Sequence, residues 1–153
     1  AAKAFLADKT ITSGYIDWRE DVRRWHPEQE WVFEPGGMGV FDPGINALSI
    51  LTDVLPRPVH ITSALLNFPE NRFTPIAAEV AFSGHLTLTL DWLKDGQHGT
   101  EVEGSVLDEY PALYDQMARL VSSGASEVDL APMIHVADAM TLGKRVTVAP
   151  FSF

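Results

Sequence analysis

The chain has 153 residues, a hydrophobic share of 46%, no cysteine and a formal charge of −10. That is enough length and apolar content for one folded unit with a real core. The charge opposes nucleic acid and anionic membrane surfaces as partners, and the missing thiols exclude disulfides, iron–sulfur clusters and a cysteine nucleophile.

No apolar run is long enough to span a bilayer, and the N-terminal AAKAFLADK is too charged for a signal peptide, so the expected location is the cytoplasm. Residues 1–8 have helical composition and read as the last turns of a helix. Residues 15–24, rich in aromatic and charged side chains, read as a strand. Arg19, Arg23 and Arg24 are interleaved with Glu20 and Asp21, a pattern of local ion pairing. From Gly39 to about Leu55 apolar residues recur near helical spacing at Phe41, Ile45, Leu48, Thr52 (a partial match) and Leu55. Asp42 and Pro43 are placed to start that helix, and Pro56 and Pro58 to end it.

Three strands are expected next, at 59–68, 74–83 and 85–93. In the last, Leu86, Leu88, Leu90 and Trp92 alternate with Thr87, Thr89 and Asp91, the period of a half-buried strand. Turns at PENR and SG favour antiparallel pairing. Residues 94–108 are polar, with a short strand possible at 101–107. A helix at 109–122 presents Leu113, Met117, Leu120 and Val121 on one face and stops at Gly124. A second helix spans about Pro132 to Gly143, and the chain closes on the apolar VTVAPFSF. The fold class is α+β: an open, mainly antiparallel, mixed sheet with helices on one face.

The chemistry concentrates in WREDVRRWHPEQEWVFEPGGMGVFDPGINALSI, residues 18–50. Carboxylates, arginines, a histidine and tryptophans set in an apolar frame suit a polyhydroxylated ligand. Gly36, Gly37 and Gly39 do not complete a dinucleotide-binding G-x-G-x-x-G, because Asp42 stands where the third glycine belongs. They read better as a place where backbone approaches a ligand or another element closely. Asp42 and Asn46, one helical turn apart, either hold adjacent hydroxyls or serve as a cap and an exposed amide, and the spacing favours the cap. His26, between Trp25 and Pro27, reads as structural, as do His60, His85, His98 and His135. Trp18 and Trp31 read as core, while Trp25, Trp92, Glu20 and Asp21 stay open between structure and ligand contact. No metal site and no serine triad has the spacing it needs.

The same stretch resembles the substrate domain of the L-arabinose and D-galactose 1-dehydrogenases, in the glucose–fructose oxidoreductase / inositol dehydrogenase superfamily. The resemblance rests on WHP followed by GG-x-x-x-D-x-G-x-N. It resumes at TPIAAE (74–79), DW (91–92), EYPALY (109–114) and VADAM-TLGKRV (136–146), covering most of the chain. It implies oxidation of an aldose at its anomeric carbon to an aldonolactone, with hydride transfer to NAD or NADP. Asp42 would be the acid–base partner, Glu20, His26 and Asn46 would bind sugar hydroxyls, and Trp92 would line the pocket. These implied roles replace the cap reading of Asp42 and the structural reading of His26.

Two departures accompany the match. The family's N-terminal Rossmann domain and its E-K-P lysine have no counterpart, so no cofactor-binding residue is assigned in this chain. Between Trp92 and Tyr110 the family has several more strands, so the sheet is shortened. The resemblance therefore makes residues 1–153 a single substrate-binding and oligomerisation domain, with 1–14 a remnant of the linking helix and the approach to the first strand. It is expected to be an excised or engineered piece, or else a natural relic, inactive alone and homodimeric through an apolar sheet face. The alternatives are one component of an active dehydrogenase whose Rossmann domain lies in another chain, or a sugar-binding module without chemistry.

Overall fold

A computed structural model describes residues 2–95 and 109–153. Five strands form one sheet in the order β1 (Gly14–Arg19), β4 (Leu86–Asp91), β3 (Ala77–Phe82), β2 (Ile61–Pro69) and β5 (Lys144–Val148). The β2–β3 and β3–β4 pairs are antiparallel, while β1 and β5 join the edges in parallel to β4 and β2. The fold is therefore α+β with a mixed sheet. The expected strand at 101–107 and His98 lie outside the described residues.

Alternation decides which face is buried. Leu86, Leu88 and Leu90 point inward from β4, with Ala64, Leu66 and Phe68 of β2 and Ala78, Val80 and Phe82 of β3. Helices α3 (Phe41–Val54) and α5 (Ala131–Leu142) cover this face and pack on each other, and the short α1 (Ala2–Leu6) lies against α3. The buried stripe of α3 is Phe41, Gly44, Ala47, Leu48 and Leu51. Thr52, included in the expected stripe, instead donates its hydroxyl to the Leu48 carbonyl at 3.0 Å.

Several boundaries differ from expectation. The first strand stops at Arg19, because Asp21 accepts the Arg23 N–H at 3.0 Å and starts a helical turn, α2 (Val22–Trp25). Asp42 does not cap α3. The helix begins earlier, with Val40 in the cap position and Asp42 already in the first turn, because the Asp42 N–H is taken by the Gly39 carbonyl at 2.9 Å. Helix α4 (Glu109–Ser123) ends as predicted, with Gly124 at φ 64 and the Ala125 N–H on the Leu120 carbonyl. Its apolar face, however, lies in solvent, with Leu113, Met117 and Val121 all more than half exposed. The apolar face of the sheet is already covered by α3 and α5, and the open face is polar.

The open face of the sheet also departs from expectation. It was predicted to be apolar, but it carries Ser63, Glu79, Thr87 and Thr89 around Leu65 and Ala81. These line a shallow concavity of about 530 Å³. The same alternation that builds the core places threonines outward, so this face is compatible with water.

Gly37 and Gly39 serve close backbone approach, whereas Gly36 has open space beside it. A side chain on Gly39 would meet the Pro75 carbonyl oxygen at 2.4 Å, and φ there is +56°. Gly39→Ala is expected to cost more than about 2 kcal/mol, from the left-handed backbone and the clash together, as read from chemical denaturation.

His135 lies buried on α5, edge-on to Phe82, with no hydrogen-bond partner for Nδ1. Burial pushes its imidazole below 6.5, and the charge of Asp138 only partly opposes this. The unfolded chain therefore takes up this proton first as the pH falls. The contribution of His135 is complete above 6.5 and is lost as the pH drops below it toward the folded value. Denaturation midpoints measured on both sides of that range should fall less steeply in His135→Phe than in the parent.

Candidate functional site

Because β1 and β4 run parallel, their carboxyl ends lie side by side. The pairing continues beyond them: the Glu20 N–H donates to the Asp91 carbonyl at 3.2 Å and the Val22 N–H to the Trp92 carbonyl at 2.9 Å. Helix α2 then turns the chain, closed by the His26 N–H on the Val22 carbonyl at 2.8 Å. The His26 ring is left edge-on against Trp92, with centroids 5.5 Å apart. The first turn of α3 brings Asp42 to the same place, with Oδ2 3.5 Å from His26 Nε2. Both side chains reach solvent, keeping 23% and 36% of their surface.

Three of the five predicted site residues are thus in one cluster: His26, Asp42 and Trp92. Trp92 differs in kind from the expectation. It is fully buried between His26 and Phe33, its Nε1 has no partner, and it backs the histidine without presenting a ring face to solvent. Asn46 sits one turn after Asp42 on α3 and is exposed. Glu20 stands at the neighbouring strand end, where its carboxylate accepts the Trp18 indole N–H at 2.9 Å.

The arginines leave Glu20 alone. Arg19 pairs with Asp17, Arg23 with Asp21 and Arg24 with Asp95. Burial works to raise the Asp21 carboxyl, but the hydrogen bonds and charge of Arg23 outweigh it and hold Asp21 below the ordinary carboxylate range. Local ion pairing, predicted for this basic cluster, is what the structure contains.

Chemically, the cluster sets a carboxylate beside an imidazole at the positive end of α3's dipole. Asp42 can accept a proton from a hydroxyl while His26 donates to its other oxygen, and Asn46 and Glu20 supply further hydrogen-bonding groups nearby. Among the described residues no group of three or more His, Asp or Glu could hold a metal ion. Sequence reasoning missed two participants. Trp18 read as core, yet its indole N–H holds Glu20. Gln29 drew no attention, yet its Oε1 lies 3.3 Å from His26 Nδ1. The His-x-x-Gln spacing across Pro27 was the available signal.

No protein-family model matches the chain. Over 99% of its length it is 39% identical to a galactose 1-dehydrogenase of Pseudomonas fluorescens, in a match of 180 residues that covers 59% of that protein. The crystal structure of a D-galactose-1-dehydrogenase protein from Rhizobium etli superposes with a TM-score of 0.87 at 46% identity. It covers 99% of this chain and 58% of that one. KijD10, a 3-ketoreductase from Actinomadura kijaniata solved with NADP and TDP-benzene, superposes with a TM-score of 0.66 over 95% of this chain and 57% of its own. At 11% identity, that likeness shows the fold alone.

The five-stranded sheet and its helices match the corresponding part of these relatives. Along its whole length the chain is similar to galactose 1-dehydrogenases, members of the glucose–fructose oxidoreductase / inositol dehydrogenase superfamily. It spans somewhat under three-fifths of those relatives.

Scaffold and site should separate on mutation. Trp92→Ala is expected to cost about 3–5 kcal/mol, because it empties a buried aromatic position. Asp42→Asn, half-exposed and bound only loosely to His26, should change stability by no more than about 1 kcal/mol. Urea denaturation of both variants gives the comparison.

Proposed function

We propose that this chain is the sugar-holding half of an NAD(P)-dependent aldose 1-dehydrogenase, a single substrate domain that does not turn over by itself. The His26–Asp42 pair supports this reading most directly. It lies at the carboxyl ends of a parallel strand pair, in a chain 46% identical to a D-galactose-1-dehydrogenase protein. Asp42 takes the proton of the anomeric hydroxyl, while His26, Asn46 and Glu20 hold neighbouring hydroxyls and Trp92 fixes the histidine from behind. The anomeric hydrogen leaves with two electrons, and the aldose becomes an aldonolactone.

The acceptor is not held by this chain. The glycines at 36, 37 and 39 do not form a dinucleotide turn, and Gly39 is packed against Pro75 and Thr74 of the protein itself. In the reading proposed here, NAD or NADP is carried by a separate cofactor domain. Self-association as a homodimer belongs to the same proposal. It is supported by the open sheet face, which no described helix covers, and its contacts would be polar hydrogen bonds around a small apolar patch.

The test follows reduction of NAD and NADP by galactose, arabinose and xylose. The chain alone should give none. Adding the N-terminal cofactor domain of a galactose 1-dehydrogenase should restore reduction, and Asp42→Asn should lower the restored rate by about 10²–10⁴-fold. Turnover by the chain alone would overturn the reading. Light scattering tests the dimer separately, and a monomer mass at micromolar concentration would remove that part.

A further inference from the structure

His26 is held from three sides. Nδ1 lies 3.3 Å from Gln29 Oε1, Nε2 lies 3.5 Å from Asp42 Oδ2, and the ring stands against Trp92. A carboxylate has no proton to offer, so a proton on Nε2 suits the neutral ring, provided that Nδ1 then finds a donor.

Nδ1 then poses a demand that changes with protonation. In the neutral ring it is a bare lone pair and wants a donor, whereas in the imidazolium it is an N–H and wants an acceptor. A side-chain amide satisfies both by a half-turn, because it ends in an NH₂ on one side and an oxygen on the other; in the structure the oxygen faces Nδ1, the arrangement that serves the imidazolium, and the neutral ring needs the amide turned. A carboxylate there could only accept, and an ammonium could only donate.

The local backbone is bent to deliver that amide. Glu28 has φ 59, and the Gln29 N–H donates to the His26 carbonyl at 3.1 Å, which folds residue 29 back toward ring 26. A left-handed non-glycine residue costs about 1–2 kcal/mol, and such conformations persist only where the surroundings enforce them.

We propose that Gln29 is the positioning residue of this site. It keeps His26 as the Nε2–H tautomer aimed at Asp42, and by turning its amide it lets the ring gain or lose the Nδ1 proton without moving. In Asp42, Oδ2 is then occupied by His26 and Oδ1 remains for a substrate hydroxyl. That last consequence rests on the sugar-oxidising reading, but the tautomer itself does not.

The test is two-bond proton–nitrogen correlation NMR of the His26 ring in the whole chain, above the ordinary imidazole titration range. The parent should show Nε2–H with an unprotonated Nδ1. Gln29→Met, similar in shape and without hydrogen bonds, should give a mixture with the Nδ1–H tautomer. Gln29→Glu, which only accepts, should leave the ring doubly protonated where the parent is neutral. Identical spectra for the three proteins, or an Nδ1–H parent, would overturn the assignment. Galactose titration of the parent in the same samples separates the two readings. Tautomer changes without any sugar response would support Gln29's role and count against the sugar site.

Discussion

The seating of Gly39 and Val40 against Pro75 is the contact on which the rest depends. The Val40 N–H donates to the Pro75 carbonyl at 2.7 Å, and the bare Cα of Gly39 permits an approach that any side chain would block. Helix α3 starts from that seat. Its start places Asp42 in the first turn, and its axis lays Gly44 so close to β4 that an added Cβ would meet Leu90 at 2.6 Å. Asp42 is thus located by backbone packing instead of by its own interactions. For that reason, changing its side chain and changing the glycine are expected to have different consequences.

The second constraint is the parallel pairing of β1 with β4. Had β1 joined the sheet in the antiparallel sense, its carboxyl end would lie at the far side, beside the β3–β4 turn. Parallel pairing instead puts Glu20, His26 and Trp92 on one end of the sheet, next to the start of α3. Trp92 then has two duties. It closes the core against Phe33 and Phe151's neighbourhood, and it gives His26 a rigid wall.

Much of this was legible in the sequence where one physical term dominated. The alternation of β4 announced its buried face because period-two burial is a strong constraint. The chemistry of residues 18–50 stood out because cores do not use that mixture. The resemblance carried in GG-x-x-x-D-x-G-x-N pointed to Asp42 where spacing preferred a helix cap, and the observed helix start leaves the cap position to Val40. What was not legible depended on tertiary context. That the edge strands join in parallel depends on connections through the helices that no local pattern announces. The stripe on α4 looked like core, although the apolar sheet face is already covered by α3 and α5. Gln29 was invisible because its meaning arises from a turn through the left-handed Glu28.

If the residues around His26 and Asp42 form a sugar site, the Trp18 indole N–H, which donates to Glu20 at 2.9 Å, reports on it directly. In proton–nitrogen spectra of the chain titrated with galactose to millimolar concentrations, this resonance and the His26 ring should shift together. The indole of Trp31, exposed on the 3₁₀ turn at Glu30–Phe33, should stay in place. A titration in which Trp18 and His26 do not respond, or respond no more than Trp31, would rule out a sugar site at His26 and Asp42.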